Sequence, residues 1–190
     1  MKIFLIRHLK TKGNMEKRYI GRTDEPLHEQ AGAYLLNSYP ETEVVYTSPM
    51  LRCIQTAELI YGKTRLIPME QLREIDFGDF EGKNYEELKA NPDYIAFLNR
   101  NGDGIIPNGE ALPAFKKRCC AGFLQIIHEM IAAGNESAAV ICHGGTIMAI
   151  LEQFDVQQQD FYSYMVKNGE GFATEFDVNQ NVFTRIQRLG

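Results

Sequence analysis

Residues able to do chemistry crowd into a few short stretches of this 190-residue chain. The apolar run Ile3-Phe4-Leu5-Ile6 gives way at once to Arg7-His8, "TSPMLRC" carries Arg52, and "VICHGG" sets His143 ahead of Gly144 and Gly145. A fourth stretch, "LREIDFGDFEG", offers the carboxylates Glu74, Asp76, Asp79 and Glu81. Two guanidiniums with backbone N–H groups match the oxygens of a phosphate, because each guanidinium presents a permanently charged, planar fork of donors. Phosphoryl transfer spreads charge over the peripheral oxygens, so fixed positive groups there supply much of the catalysis. A neutral imidazole can serve as the in-line nucleophile if its other nitrogen is held by an acceptor, and His8 or His143 fits that role. A carboxyl near a phosphate dianion is pushed towards its protonated form and can protonate a leaving alkoxide. Spacing does not choose among the four carboxylates.

Each residue taken singly has a plainer explanation. A histidine at a strand end is more often a hydrogen-bonded structural residue, and Gly144-Gly145 could be no more than a tight turn. Arg52, in a first helical turn, is misplaced beside the positive end of the helix dipole unless an anion sits between them. Convergence on one edge makes the difference, and the elements must provide it. Strands are expected near 2–6, 43–47 and 138–142, and helices over "HEQAGAYLLNSY" (28–39) and "SPMLRCIQTAELI" (48–60), the latter with Ser48 as N-cap and Pro49 at the first helical position. Leu112, Phe115, Cys119, Phe123, Ile126, Ile127, Met130 and Ile131 mark one face of a long helix. The stretch "GFATEFDVNQNVFTRIQRL" alternates like two antiparallel strands joined near Asn179-Gln180-Asn181. These elements predict a three-layer α/β/α fold with a mostly parallel central sheet, in which ligands settle at the carboxyl ends of the strands. Three such ends would deliver Arg7-His8, Arg52 and His143.

Composition narrows the alternatives. At 44% hydrophobic, with no low-complexity tract or repeat, residues 1–190 are expected to form one domain. The net charge of −5 hides a basic corner, since residues 1–22 hold Lys2, Arg7, Lys10, Lys12, Lys17, Arg18 and Arg22 against Glu16 alone. That pattern suits a small anionic ligand and disfavours nucleic acid. No stretch is long enough to span a membrane and the apolar start is too short for a signal peptide, so a cytoplasmic address with no membrane partner is expected. The cysteines Cys53, Cys119, Cys120 and Cys142 show neither zinc spacing nor a redox motif and should be reduced. None is followed by the arginine a cysteine phosphatase loop requires.

Taken together, Arg7-His8, Asn14, "GRTDEPL", "TSPMLRCIQTA", "LREIDFGDFEG", "PNGE" before a long helix, and "ICHGGT" resemble the histidine phosphatase superfamily, in that order along the chain. The resemblance implies that His8 becomes a phosphohistidine, that Arg7, Arg52 and His143 clamp the phosphoryl group with Asn14 and the Gly144 backbone assisting, and that Glu74 is the proton donor and then the base. It implies no metal and no cofactor. The compact segment after Glu74 is more similar to α-ribazole phosphatases and their broad-specificity relatives than to the phosphoglycerate mutases. The expected substrate is therefore a small phosphorylated metabolite such as α-ribazole 5'-phosphate, hydrolysed as a monoester, with mutase-type transfer as the runner-up. Oligomeric state is not readable. One position departs from the family pattern: Leu9 stands where the family has glycine, implying either strain at a positive φ or a greasier pocket rim.

Two further readings compete. "NRNGDGIIPNGE" puts Asn99, Asn101, Asp103, Gly104 and Glu110 at EF-hand loop positions, but Asn at position one lacks a charge and Pro107 stiffens the loop. A phospho-ligand binder without turnover is the rival from another class, with Leu9 as its only support.

Overall fold

The computed structural model describes residues 1–62, 64–100 and 104–190. In chain order the elements are β1 (Lys2–Arg7), α1 (Lys12–Met15), β2 (Val44–Thr47), α2 (Leu51–Tyr61), β3 (Leu66–Pro68), α3 (Tyr85–Leu88), α4 (Pro92–Asn99), α5 (Leu112–Ala133), β4 (Ser137–Cys142), α6 (Gly144–Phe154), β5 (Gly171–Asp177) and β6 (Val182–Leu189). The strands form one six-stranded sheet in the order β3-β2-β4-β1-β5-β6. The β1/β4, β2/β4 and β2/β3 pairs are parallel, and β5 runs antiparallel to both β1 and β6.

Alternation along the central strands divides the core into two sides. Ile3, Leu5, Ala138, Val140 and Cys142 face α5 and α6 through Phe115, Phe123 and Ile150. Phe4, Ile6, Ala139 and Ile141 face α2 through Cys53 and Ala57. Both faces of β1 and β4 are thus covered, which is why these strands read as unbroken apolar runs rather than as alternating ones. The arrangement is the expected α/β/α sandwich with an antiparallel C-terminal hairpin, whose turn is held by the Asp177 carboxylate accepting from Asn179 N at 2.8 Å.

The structure corrects three sequence-based expectations. Residues 28–39 form only a 3-10 turn at Ala31–Tyr34. A helix of that length is marginal without tertiary support. Here the tertiary contacts pull the other way: His28 N donates to Lys10 O, and the Tyr39 hydroxyl donates to Gly169 O. The helix α2 starts at Leu51 with Met50 as an N-cap that makes no side-chain bond, because Ser48 is turned towards His143 instead. On α5, Ile131 is half exposed although Phe115, Cys119, Phe123, Ile126, Ile127 and Met130 are buried. The 3.6-residue period carries it past the edge of the buried face. Among the described residues no helix is long and apolar enough to cross a membrane, and the four cysteines are free.

Candidate active site

Arg7 and Cys142 are register partners in the β1/β4 pair, so the next residues, His8 and His143, leave the sheet side by side. Their rings meet edge to face with centroids 5.2 Å apart, and His8 N donates to Cys142 O at 2.9 Å. The carboxyl end of β2 feeds Ser48 and then α2, whose second residue is Arg52. Three strand ends therefore bring Arg7, His8, Arg52 and His143 to one edge, as the sequence leads one to expect.

The state of each histidine follows from its partners. His8 Nδ1 lies 2.7 Å from Leu9 O. A carbonyl only accepts, so Nδ1 carries the hydrogen and Nε2 keeps its lone pair. Burial, and after it the charges of Arg52 and Arg7, hold the His8 pKa well below the ordinary imidazole value. His143 is lowered in the same way, by burial first and then by Arg52. Its Nδ1 accepts from Arg52 Nε at 3.3 Å, which leaves Nε2 to donate to Ser48 Oγ at 2.8 Å. Both imidazoles are neutral.

Arg52 is fully buried, and each of its two terminal nitrogens donates once, Nη1 to Thr23 O (2.7 Å) and Nη2 to Gly21 O (2.9 Å). Among the described residues no carboxylate bonds to it. A buried cation held only by carbonyls and a neutral imidazole is costly unless an anion joins it. Arg7 adds a second cation: Nη1 donates to Val166 O at 2.7 Å, while its buried Nε has no acceptor. The guanidinium lies against Gly144, where a Cβ would meet Cζ at 3.3 Å. Gly144 and Gly145 open α6, so the helix N-terminus points at the same spot as both arginines.

Glu74 closes the site from the other side. Its carboxylate accepts from Ile75 N at 3.0 Å and Gly145 N at 3.1 Å, an approach that only glycine permits, because a Cβ on residue 145 would sit 2.4 Å from Glu74 Oε1. Burial raises its pKa, against the pull of the two N–H groups, Arg7 and Arg52. The other three carboxylates of that stretch face elsewhere. Asp76 accepts from Gly78 N and pairs with Arg22, Asp79 takes Asn108, and Glu81 supports a loop.

That loop is one of several supports the sequence did not reveal. One oxygen of Glu81 accepts from both Gly21 N and Thr23 N at 2.9 Å, and the carbonyls of those same residues hold Arg52. Asn168 Nδ2 bridges His8 O (3.0 Å) and Asn14 Oδ1 (3.2 Å), and residues 166–170 lie along Arg7, with Gly169 N donating to Arg7 O and Arg7 N to Glu170 O. Thr56 Oγ1 accepts from Leu9 N. Asn14 is half-buried and linked to His8 through Asn168, with Oδ1 also receiving Thr11 N. Ser48 drew notice in the sequence as a helix cap and Glu81 as a candidate acid, whereas Asn168 and Thr56 left no trace there.

Leu9 resolves differently from either expectation. It is not among the positive-φ residues and is fully buried, packed towards Gly169 and away from the cleft, so it neither strains the backbone nor greases a rim. The EF-hand reading loses Glu110 to an ion pair with Arg118 (2.6 Å); its Asn101 and Asp103 lie outside the described residues. Among the described residues no cluster of His, Cys, Asp or Glu could hold a metal ion. Of the basic corner, Arg18 is paired with Glu16 and Glu87, Lys10 rests on the Tyr34 ring, and Arg7 is the member that reaches the site. A cleft of about 650 Å³ opens above Arg7, Glu74, Gly144 and Gly145.

Comparison with known proteins places this geometry. A family model of the histidine phosphatase superfamily (branch 1) matches residues 3–188. The uncharacterized phosphatase PhoE of Bacillus subtilis is 27% identical over 175 residues, covering 87% of this chain and 83% of the relative. The phosphoglycerate mutase-like protein 4 of Arabidopsis thaliana is 31% identical over 163 residues, covering 80% of this chain and 70% of its own length. The crystal structure of the α-ribazole phosphatase from Shigella flexneri superposes with a TM-score of 0.81 at 23% identity, over 97% of this chain and 94% of that one, a likeness of fold.

Proposed function

The chain belongs to the histidine phosphatase superfamily, branch 1, and from that premise we propose that it is a metal-independent phosphomonoesterase working through a phosphohistidine on His8. One observation carries the reading: a neutral His8 with its Nε2 lone pair free stands beside Arg52, a buried cation to which no carboxylate bonds among the described residues. A phosphate monoester supplies the missing anion. Arg7, Arg52, Asn14 and the Gly144 backbone hold its oxygens, the orphaned Arg7 Nε gaining an acceptor, and His143 joins them by turning its Nε2–H from Ser48 to a phosphoryl oxygen. His8 Nε2 attacks phosphorus in line, the bond to the alcohol oxygen breaks, and protonated Glu74 delivers its proton to that oxygen. Glu74, now a carboxylate, takes a proton from water as the water attacks phosphorus. The P–N bond breaks, releasing inorganic phosphate and restoring both groups.

Burial suits Glu74 to the first half-reaction by raising its pKa, and a phosphate dianion alongside raises it further. The substrate is a small phosphorylated metabolite, with α-ribazole 5'-phosphate as the candidate to try first. The test is phosphate release in the presence of chelator, with His8→Ala in parallel and chemical trapping of the enzyme during turnover. The expected result is chelator-insensitive release, an acid-labile phosphoryl group on His8, and none of either in His8→Ala. Normal turnover by His8→Ala would refute the mechanism, and loss of activity with chelator would refute metal independence.

A further inference from the structure

The cleft above the phosphate site says what kind of alcohol the ester carries. Its floor is Arg7, Glu74, Gly144 and Gly145, all engaged by the phosphoryl chemistry. Its walls are mostly apolar. Phe97 and Leu98 of α4, Ile106, Phe115 of α5, Phe161 and Met165 line it, and Tyr19 and Tyr162 add two aromatic rings that each carry a hydroxyl. Arg7 and Glu74 are the only charged side chains among the described lining residues.

Three of the cations near the walls are already committed. Lys116 lies over the outer face of Phe161 and pairs with Glu152 at 2.7 Å, and Arg118 pairs with Glu110. Arg188 donates to the carbonyls of Met165 and Ser163. A second anionic group on the substrate, such as a carboxylate or another phosphate, would lose its water in the cleft and find no second cation among the described lining residues once Arg7 holds the phosphoryl group. At the rim, Leu98 and Met165 leave 41% and 56% of their surface exposed, an apolar area that a ring-sized group would cover. The Phe97 wall is rigid, since its ring sits against Phe80 and Tyr94 in the core behind it. A cleft of about 650 Å³ also exceeds what a three-carbon alcohol fills.

We propose that this cleft selects phosphomonoesters whose alcohol part is apolar, of ring size and free of a second anionic group. The proposal rests on the phosphomonoesterase reading for the reaction, though not for the binding preference. Benzyl, 4-carboxybenzyl and ethyl phosphate test it, because all leave as primary alkoxides and differ mainly in what occupies the cleft.

The expected kcat/KM for benzyl phosphate exceeds that for ethyl phosphate by roughly 10- to 100-fold, and exceeds that for 4-carboxybenzyl phosphate and 3-phosphoglycerate by about tenfold or more. Leu98→Arg and Met165→Arg, both at exposed positions that tolerate a charge, are expected to narrow or invert the benzyl preference over its carboxylated analogue. Equal or better use of the carboxylated ester by the wild type, or an unchanged ratio in both variants, would overturn the proposal. Calorimetric affinities for benzylphosphonate and 4-carboxybenzylphosphonate separate the two ideas. A tenfold preference without turnover of any ester would sink the phosphatase reading and leave the cleft assignment standing; equal affinities would sink the cleft assignment whatever the turnover.

Discussion

Replacing Glu74 with glutamine removes the proposed acid and base while keeping its shape. In the native site the two carboxylate oxygens accept from Ile75 N and Gly145 N. The substituted amide keeps one oxygen for one of these donors and turns an NH2 towards the other, so a single backbone N–H loses its acceptor. Because Glu74 is partly exposed to the cleft, this costs about 1 kcal/mol, at the lower end of the range for an unsatisfied donor, or about 2–4 °C in Tm, and Glu74→Gln should fold. Catalysis should suffer far more. With benzyl phosphate, whose alkoxide needs a proton to leave, kcat/KM is expected to fall by about 10²–10⁴-fold. With 4-nitrophenyl phosphate the leaving phenolate needs none, so His8 is still phosphorylated, but the water attack that follows lacks its base. A stopped-flow trace should show a burst of about one nitrophenolate per site followed by slow turnover. The alkaline limb of the benzyl phosphate profile, which in the wild type reports loss of the Glu74 proton, should vanish in the variant. Wild-type turnover of benzyl phosphate by Glu74→Gln, or equal losses for both leaving groups without a burst, would refute these roles.

Two other predictions concern the surroundings of the nucleophile. His8 and His143 both have folded-state pKa values below the ordinary imidazole value, so below about pH 6.5 the unfolded chain binds protons that the folded one does not. The stability these groups confer is complete above that pH and should fall as pH drops through it, by about 1.4 kcal/mol per pH unit for each; urea unfolding from pH 5 to 8 measures it, and His143→Gln should flatten the slope. Glu74 works with the opposite sign, its contribution shrinking as pH rises from the ordinary carboxylate range towards its raised value. Glu81→Ala should lower kcat/KM by roughly tenfold by freeing the Gly21–Thr23 loop that holds Arg52. Glu81→Gln should stay close to wild type, because one oxygen makes both of the bonds that matter, and steady-state kinetics on the two variants distinguishes bonding from charge.

What was legible in the sequence was whatever depends on a few neighbouring residues. The apolar runs of β1, β2 and β4 stand out because both faces of the sheet are covered, and the residues at their ends follow directly. Residues 28–39 misled because their spacing is helical while their partners, Lys10 and Gly169, come from distant parts of the chain. Ser48 has the local signature of a helix cap, yet His143 lies within its reach and takes it. Asn168 carried no signal at all, and Glu81 stood out only as one of four candidate acids: Asn168 meets His8 across 160 positions and Glu81 meets Gly21 across 60, and nothing in their immediate neighbourhood announces these supporting roles. Leu9 is the reverse case, conspicuous in the sequence and quietly buried in the fold.

The position of β1 in the sheet has a consequence for how such a protein comes into being. His8 is made long before most of its surroundings, because the strand that carries it has β4 and β5 as its two neighbours, which begin at Ser137 and Gly171. Early in synthesis β1 has no strand to pair with, and a strand so apolar is an invitation to association with other chains until those partners arrive. The clamp around Arg7 waits for residues 166–170 as well. Phosphate-binding competence should therefore appear late and all at once, making the enzyme's own ligand a reporter of a completed central sheet.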